Sequence, residues 1–257
     1  MTSCQHLRLA DGRSVACTSP AETRMLWSEM SAAGFYRLAA AQLRPGDLVV
    51  DVGANVGLSA MMFADTCPGV RVIAAEPAPA IFECLRQNLA AFVPRGTAAQ
   101  VALGAESGVL PFTVYPRASA NSSLYADPDA DTAATRIFLR NSGLPDDAID
   151  ALTAGLHVGE QIEVEVTTVS KLLAGHDARS AIGVLKIDVE RAEFDVLRGI
   201  SDSDWARVRT VVAEVHDHDG RLAEFCSELS VHGLSPRSRQ DPALRGTELH
   251  EVFAVRG

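Results

Sequence analysis

Two periods of apolar residues alternate along the chain. The opening "HLRLADGRSVAC" sets Asp11-Gly12 between two short alternating runs, the signal of a hairpin closed by a type I′ turn, which needs φ > 0 at both central residues. From Ala21 to Leu43 the residues Leu26, Met30, Phe35 and Leu38 recur at helical spacing, and "RPGD" ends the pattern. The apolar run "LVVDV" then leads into glycines, the helical "LSAMMFADT" follows, and "VRVIAAEP" reads as a second strand. "APAIFECLRQNLAAF" is a helix with Ile81, Leu85 and Leu89 on one face. Farther along, "QIEVEVTTV" alternates as a half-buried strand, "IGVLKIDV" is a buried one, and "AEFDVLRGI" is helical. "TVVAEVH", "GRLAEFCSELSVHG" and "ELHEVFAVRG" read as strand, helix and closing strand. Strands alternating with helices define an α/β chain with a doubly wound, mostly parallel sheet.

The rhythm breaks between Pro116 and Gly159. Two short amphipathic helices are expected there, separated by Gly143 and Pro145, with seven acidic residues from Asp127 to Glu160 against Arg136 and Arg140. An excursion this long inside a βα pattern forms either a lid over a substrate or a solvated surface hairpin. The helical spacing of Ile149, Leu152 and Leu156 favours a cap over residues 126–158. A single domain over residues 1–257 is expected, with the hairpin and helix over 1–45 and the cap insertion over 116–159.

Composition narrows the function. The 257 residues carry a formal charge of −10, which opposes any partner bound through phosphate neutralisation, so nucleic acid is not expected. The five cysteines are odd in number, scattered and never in a C-x-x-C pair, the usage of reduced thiols in a cytoplasmic protein. The start of the chain lacks the pattern of a signal peptide, and no uncharged apolar run reaches the ~18 residues that span a bilayer. A cytoplasmic protein without a membrane partner is the expectation.

A glycine-rich turn after a first strand receives a nucleotide at the next helix N-terminus. Here the turn reads Asp51-Val52-Gly53-Ala54-Asn55-Val56-Gly57. Asn55 stands where the dinucleotide fingerprint needs the glycine that lets backbone approach a pyrophosphate, and Asp51 adds a negative charge. Both features disfavour NAD and suit S-adenosylmethionine, which lacks phosphate and carries an ammonium and a sulfonium. Glu76 ends the second strand 19 residues past Gly57, where a carboxylate accepts both hydroxyls of a ribose.

At the far strands, Asp188 and Glu190 end "VLKIDVE", and Glu214 and His216 end "VVAEVH". Strand periodicity puts Glu214 and His216 on one side of the sheet, and Gly220 turns His218 away. Three readings of "EVHDHDG" stand side by side. His216 is a general base whose ring Glu214 orients; or Asp188, Glu214, His216 and Asp217 hold Mg²⁺ or Mn²⁺; or His216 caps a buried strand. The base reading is preferred, since no ligand spacing is diagnostic of a metal. Lys186 is expected to pair with Asp188 or Glu190.

The stretches "VVDVGANVGLS", "AAEPAPAIFECLRQN", "GVLKIDVERAEFDVLRGI" and "WARVRTVVAEVHDHDG", in this order, resemble the FkbM-type methyltransferases, especially those that O-methylate polyketide macrolides. The resemblance implies a Rossmann-like class I methyltransferase fold, a seven-stranded sheet with helices on both faces, and S-adenosylmethionine as donor. It makes Asp51, Gly53, Asn55, Gly57 and Glu76 the matching cofactor positions, joined by Ser59, Pro77, Ser122 and Asp188. Many members have Gly after the "DVE" triplet, where this chain has Arg191. The expected function is O-methylation of a secondary-metabolite hydroxyl on a small-molecule acceptor, free or tethered to a carrier protein. A carboxylate or amine methyltransferase, or a nucleoside-binding protein without turnover, is the alternative.

Overall fold

In the computed structural model, which describes residues 4–31, 34–176 and 180–257, the chain opens with a hairpin of β1 (Gln5–Arg8) and β2 (Ser14–Cys17). Its turn differs from the expected type I′. Leu9 N–H donates to the Arg13 carbonyl at 2.8 Å, Gly12 N–H donates to the Leu9 carbonyl at 3.0 Å, and Gly12 takes φ 90°. This is a three-residue loop with a glycine bulge, because Asp11 stays out of the left-handed region and its carboxylate instead accepts from Arg13 N–H at 3.0 Å.

The single helix expected over 21–43 is two helices, α1 (Pro20–Ser31) and α2 (Phe35–Ala40), with residues 32–33 outside the described ones. Gly34 is extended (φ −168°, ψ −173°) and interrupts the helical hydrogen bonding. Phe35 and Ala39 carry the buried face of α2, while Leu38 remains 43% exposed.

The βα rhythm then runs as expected through β3 (Leu48–Val52), α3 (Leu58–Thr66), β4 (Arg71–Ala75) and α4 (Pro79–Phe92). Three short strands without a strong periodic signal follow: β5 (Gly96–Ala99), β6 (Ala102–Leu103) and β7 (Gly108–Val114). The insertion forms α5 (Pro128–Asn141) and α6 (Asp146–Thr153). Asp127 caps α5 by accepting from the N–H groups of Asp129 and Ala130, and Gly143 at φ 88° ends it. The strand β8 (Glu160–Thr167) pairs with β6 and β7, so "QIEVEVT" lies in a separate three-stranded sheet. The chain continues through α7 (Val169–Leu173), β9 (Ile182–Ile187), α8 (Glu193–Arg198) and α9 (Asp202–Trp205). It ends with β10 (Thr210–His216), α10 (Arg221–Val231), β11 (Leu234–Arg239) and β12 (Leu249–Arg256).

The main sheet has seven strands in the order β11-β12-β10-β9-β3-β4-β5. From β10 to β5 every neighbouring pair is parallel, and β12 runs antiparallel to β10 and β11. Every residue of β3 and β9 is buried, as strands covered on both faces require. Alternate side chains feed two apolar layers: Val49 joins Met61 and Phe63 of α3, whereas Val50 and Val52 join Leu173, Val196 and Phe225 from α7, α8 and α10. Each fully buried side chain of this kind contributes roughly 1.5–3 kcal/mol. Chain order reverses between β3 and β9, and at such a switch point ligands lie beyond the carboxyl ends of the strands.

One expectation about the cysteines is corrected. Cys4 and Cys84 form a disulfide across 80 residues, with Cα atoms 6.1 Å apart, while Cys17, Cys67 and Cys226 are free. Spacing in the sequence holds no trace of this pair, because it arises only when the hairpin docks on α4. That docking is held by Asn88, whose side chain accepts from Ala16 N–H at 2.7 Å and donates to the Ala16 carbonyl at 2.8 Å. Among the described residues no helix is long and apolar enough to cross a membrane.

Candidate active site

At the switch point the ends of β3 and β9 touch. A Cβ on Gly53 would lie 1.8 Å from the Asp188 carbonyl oxygen, and Gly53 has φ 71°, so only glycine fits there. Gly57 is required for a different contact: at φ 90° it begins α3, and a Cβ would meet Leu85 Cδ1 at 2.8 Å. Between them Asn55 adopts φ 48°, and its side-chain oxygen accepts from Val56 N–H at 2.7 Å. Asparagine is among the few side chains that tolerate this region.

Asp51 is wholly buried and is not among the residues that line the cavity. The β3–β9 register sets it directly across from Lys186. Lys186 Nζ lies 3.3 Å from Asp51 Oδ1 and 3.2 Å from Asp188 Oδ2, and it also donates to the carbonyls of Val52 and Gly53. Burial disfavours the ammonium, but Asp188 and Asp51 outweigh it and hold the Lys186 pKa above the ordinary range. Ser59, which does line the cavity, donates to Asp51 Oδ2 at 2.5 Å. The charge of Asp51 thus reaches the cavity through Lys186 and Ser59. Lys186 pairs with Asp188 as expected; its pairing with Asp51 was hidden until the register was known.

Glu76, 6% exposed at the end of β4, accepts from Ala78 N–H at 2.9 Å on one oxygen and from Asn55 N–H at 3.2 Å on the other. Each oxygen keeps lone-pair capacity toward the cavity. Burial pushes its pKa up to about 7, against the pull of those N–H groups and Lys186. Gly53, Asn55, Ser59, Glu76, Pro77, Ser122 and Asp188 all line one continuous cavity, whereas Gly57 supports it from behind.

At the ends of β9 and β10 the expected pairing within "EVH" is corrected: Glu214 is not the partner of His216. The imidazole Nδ1 lies 2.8 Å from Glu193 Oε1 and Nε2 lies 3.2 Å from Glu190 Oε2. Side chains two apart on a strand point the same way without meeting, and the segment after β9 brings Glu190 and Glu193 to the ring instead. Burial opposes the charged ring, yet the two carboxylates outweigh it and raise the His216 pKa to about 10. Glu193, 1% exposed, has no candidate role in the sequence reading; its only signal is an E-x-x-E spacing at the start of a helix. It also accepts from Arg191 N–H at 2.9 Å, bracing a turn in which Glu190 and Arg191 both take positive φ, 48° and 73°. Asp217 accepts from Leu222 N–H at 3.0 Å, and His218 is turned to solvent beside Glu248. Among the described residues no group of three or more His, Cys, Asp or Glu is arranged to hold a metal ion.

The cavity has a volume of about 1010 Å³. Its second wall is apolar: Met25 and Leu26 of α1, Ile137 and Phe138 of α5, Leu152 of α6, and Leu156. Residues of the insertion therefore form part of the cavity lining. The insertion is tied down by Glu22, which accepts from Ser119 Oγ at 2.6 Å and Ala120 N–H at 2.9 Å, and by Asn141, whose amide donates to the carbonyls of Ala243 and Arg245 at 2.9 Å each.

The seven-stranded, mostly parallel sheet, with a glycine-rich turn after β3 and a carboxylate at the end of β4, has the form of a Rossmann-like methyltransferase. The methyltransferase FkbM domain matches residues 51–233. The chain belongs to the FkbM methyltransferase family. It is 42% identical over 252 residues to the 31-O-demethyl-FK506 methyltransferase FkbM of Streptomyces tacrolimicus, covering 97% of this chain and 96% of that one. It is 34% identical over 261 residues to the AMB antimetabolite synthetase AmbE of Pseudomonas aeruginosa, covering 96% of this chain but 12% of that protein. Among solved structures, the methyltransferase FkbM of Methylobacillus flagellatus KT superposes with a TM-score of 0.52 at 14% identity, over 82% of this chain and 44% of that one.

Proposed function

We propose that this methyltransferase uses S-adenosylmethionine as donor and methylates a hydroxyl group of a secondary metabolite of polyketide or peptide–polyketide type. The observation that carries the reading is the two-walled cavity, with a nucleoside-binding wall of Gly53, Asn55 and Glu76 and an apolar wall built by the insertion. The residues present fit the donor. Glu76 retains two oxygens for ribose hydroxyls, Asn55 occupies the place where a pyrophosphate would need bare backbone, and Asp188, Glu190 and Glu214 line the cavity with negative charge that suits a cation. Bound there, the donor supplies an electrophilic methyl group on a sulfonium.

The chain's own contribution is placement and exclusion of water. Glu76 and Asn55 hold the nucleoside end, Lys186 fixes Asp188 at the strand end, and the cap residues Ile137, Phe138, Leu152 and Leu156 enclose a large apolar acceptor. Holding two reactants in line in this way lowers a barrier by ~7–11 kcal/mol. A hydroxyl acceptor is supported by the name of the Streptomyces relative, which specifies an O-demethyl compound. The acceptor is a small molecule, free or delivered on a carrier protein, and the charge of −10 argues against nucleic acid.

Purified protein incubated with methyl-labelled donor and an extract of a strain lacking the gene tests this reading. Label in a base-stable product is expected. Label released as methanol by mild base would show a carboxylate acceptor instead, and no incorporation would refute methyl transfer.

A further inference from the structure

Methylation of a hydroxyl leaves one proton that must go somewhere, and the side chains at the ends of β9 and β10 are not equally free to take it. Asp188 Oδ2 is committed to Lys186 Nζ at 3.2 Å and to the Tyr36 hydroxyl at 3.4 Å. His216 has a carboxylate on each ring nitrogen, Glu193 at 2.8 Å and Glu190 at 3.2 Å. An imidazole held that way carries hydrogen on both nitrogens and keeps no lone pair for another proton. Glu214 differs from both. It lines the cavity beside Asp188, and among the described residues its carboxyl has neither a hydrogen-bond nor an ion-pair partner.

We propose that Glu214 is the proton acceptor of the reaction and that His216 is a fixed cation which positions the Glu190–Glu193 turn. This rests on the O-methylation reading above. The acceptor's O–H bond breaks as its oxygen bonds the methyl carbon, the electron pair of the carbon–sulfur bond stays with sulfur, and the proton passes to the Glu214 carboxylate. The surroundings of Glu214 suit a base. It faces Lys186 from β9, Asp188 just beyond that strand, Glu190 from the following turn, Glu251 from β12 and Tyr36 from α2. Burial, then Asp188 and Glu190, raise its pKa well above the ordinary carboxylate value, and Lys186 opposes them. A carboxylate so raised is a stronger base than one on the surface, and positive charge brought into the cavity restores its ionised form.

Two readouts test the assignment. The first needs no acceptor: nitrogen-15 spectra of histidine-labelled protein at about pH 7.5 should show His216 protonated on both nitrogens, and Glu193→Gln should move its titration downward. A neutral His216 in the wild type overturns the proposal. The second uses methyl-labelled S-adenosylmethionine with the extract described above. Glu214→Gln, assayed at saturating donor, should lower kcat by ~10²–10⁴-fold and lose the acid limb of the pH–rate profile, while calorimetry still shows it binding the donor. His216→Gln should lose less than about tenfold and keep that limb. The opposite ranking assigns the base to His216 and overturns the proposal. Retained donor binding shows that Glu214→Gln is folded. Failure of the wild type to transfer label refutes the underlying reaction, whereas full activity in Glu214→Gln refutes this inference alone.

Discussion

Arg191 extends from a left-handed backbone position, φ 73°, to place its guanidinium 2.7 Å from the buried carboxylate of Asp131. The pair joins the turn after β9 to α5 of the insertion, so the turn that carries Glu190 is fastened to that helix. Tyr115 donates its hydroxyl to the same Asp131 at 2.9 Å, and Ser123 Oγ donates to the Glu190 carbonyl. A glycine at 191 would relax the backbone and abandon this link.

Two variants separate those effects. Arg191→Ala leaves the left-handed strain and strips Asp131 of its cation, so a loss of ~1–3 kcal/mol is expected, below the ~3–5 kcal/mol of a fully buried pair because the arginine is partly exposed. Arg191→Gly should be less damaging by ~1 kcal/mol, since glycine accepts this φ without a Cβ penalty. Urea denaturation of the two variants reads the difference. Equal stability of Arg191→Ala and wild type would show that the latch contributes nothing.

Glu76 should govern donor affinity. Loss of charge-assisted bonds to the ribose in Glu76→Ala is expected to weaken S-adenosylmethionine binding by ~1–3 kcal/mol. Because burial lifts the Glu76 pKa to about 7, the ionised acceptor is gained as pH rises, and wild-type affinity should tighten from about pH 6 to about pH 8. Calorimetry on Glu76→Gln should show a flatter pH dependence. Unchanged affinity in Glu76→Ala would remove Glu76 from the donor site.

Much of this architecture was legible in the pattern of residues, and the parts that were not share a cause. Buried strands such as β3 and β9 announce themselves as apolar runs, and the cap helices are marked by Pro128, Gly143 and Pro145 with an amphipathic period between them. The strands β5, β6 and β11 are short, or hold residues such as Pro236 and Arg237, and draw their order from neighbours. Within the site, residues at the strand ends stand out because they interrupt apolar runs. Contacts between elements do not: Asp51 with Lys186 depends on register, His216 with Glu193 on a turn with two left-handed residues, and Cys4 with Cys84 on hairpin docking. Strand periodicity correctly put Glu214 and His216 on one side, but periodicity says nothing about which of them finds a partner.

The cap should determine acceptor binding and leave the donor alone. Phe138 and Leu156 line the same cavity as Gly53 and Glu76 but belong to the insertion. Phe138→Ala or Leu156→Ala should raise KM for the acceptor roughly tenfold or more, from the loss of ~1.5–3 kcal/mol of apolar burial. Donor affinity measured alone should not change. A drop in donor affinity with unaltered acceptor selectivity would remove the cap from acceptor recognition.

The clamp on His216 makes a pH-dependent contribution to stability whose sign is fixed by the geometry. Burial alone would favour the neutral ring, but Glu190 and Glu193 carry its pKa to about 10 from an ordinary 6.5. The folded protein therefore binds this proton more tightly than the unfolded chain. The resulting stabilisation is full below about pH 6.5 and disappears as pH rises through about 10. Its size is less than the histidine alone implies, because burial holds the Glu190 pKa above the ordinary range despite His216 beside it. A net of ~1–3 kcal/mol is a reasonable scale for a partly exposed, charge-assisted pair. His216→Gln should then melt several degrees below wild type at about pH 6.5, and the two curves should converge by about pH 10. Taking the difference between variant and wild type at each pH cancels the titration of groups common to both. A gap that stays constant from about pH 6.5 to 10 would mean that His216 is held by packing and that its two carboxylates do not keep it charged.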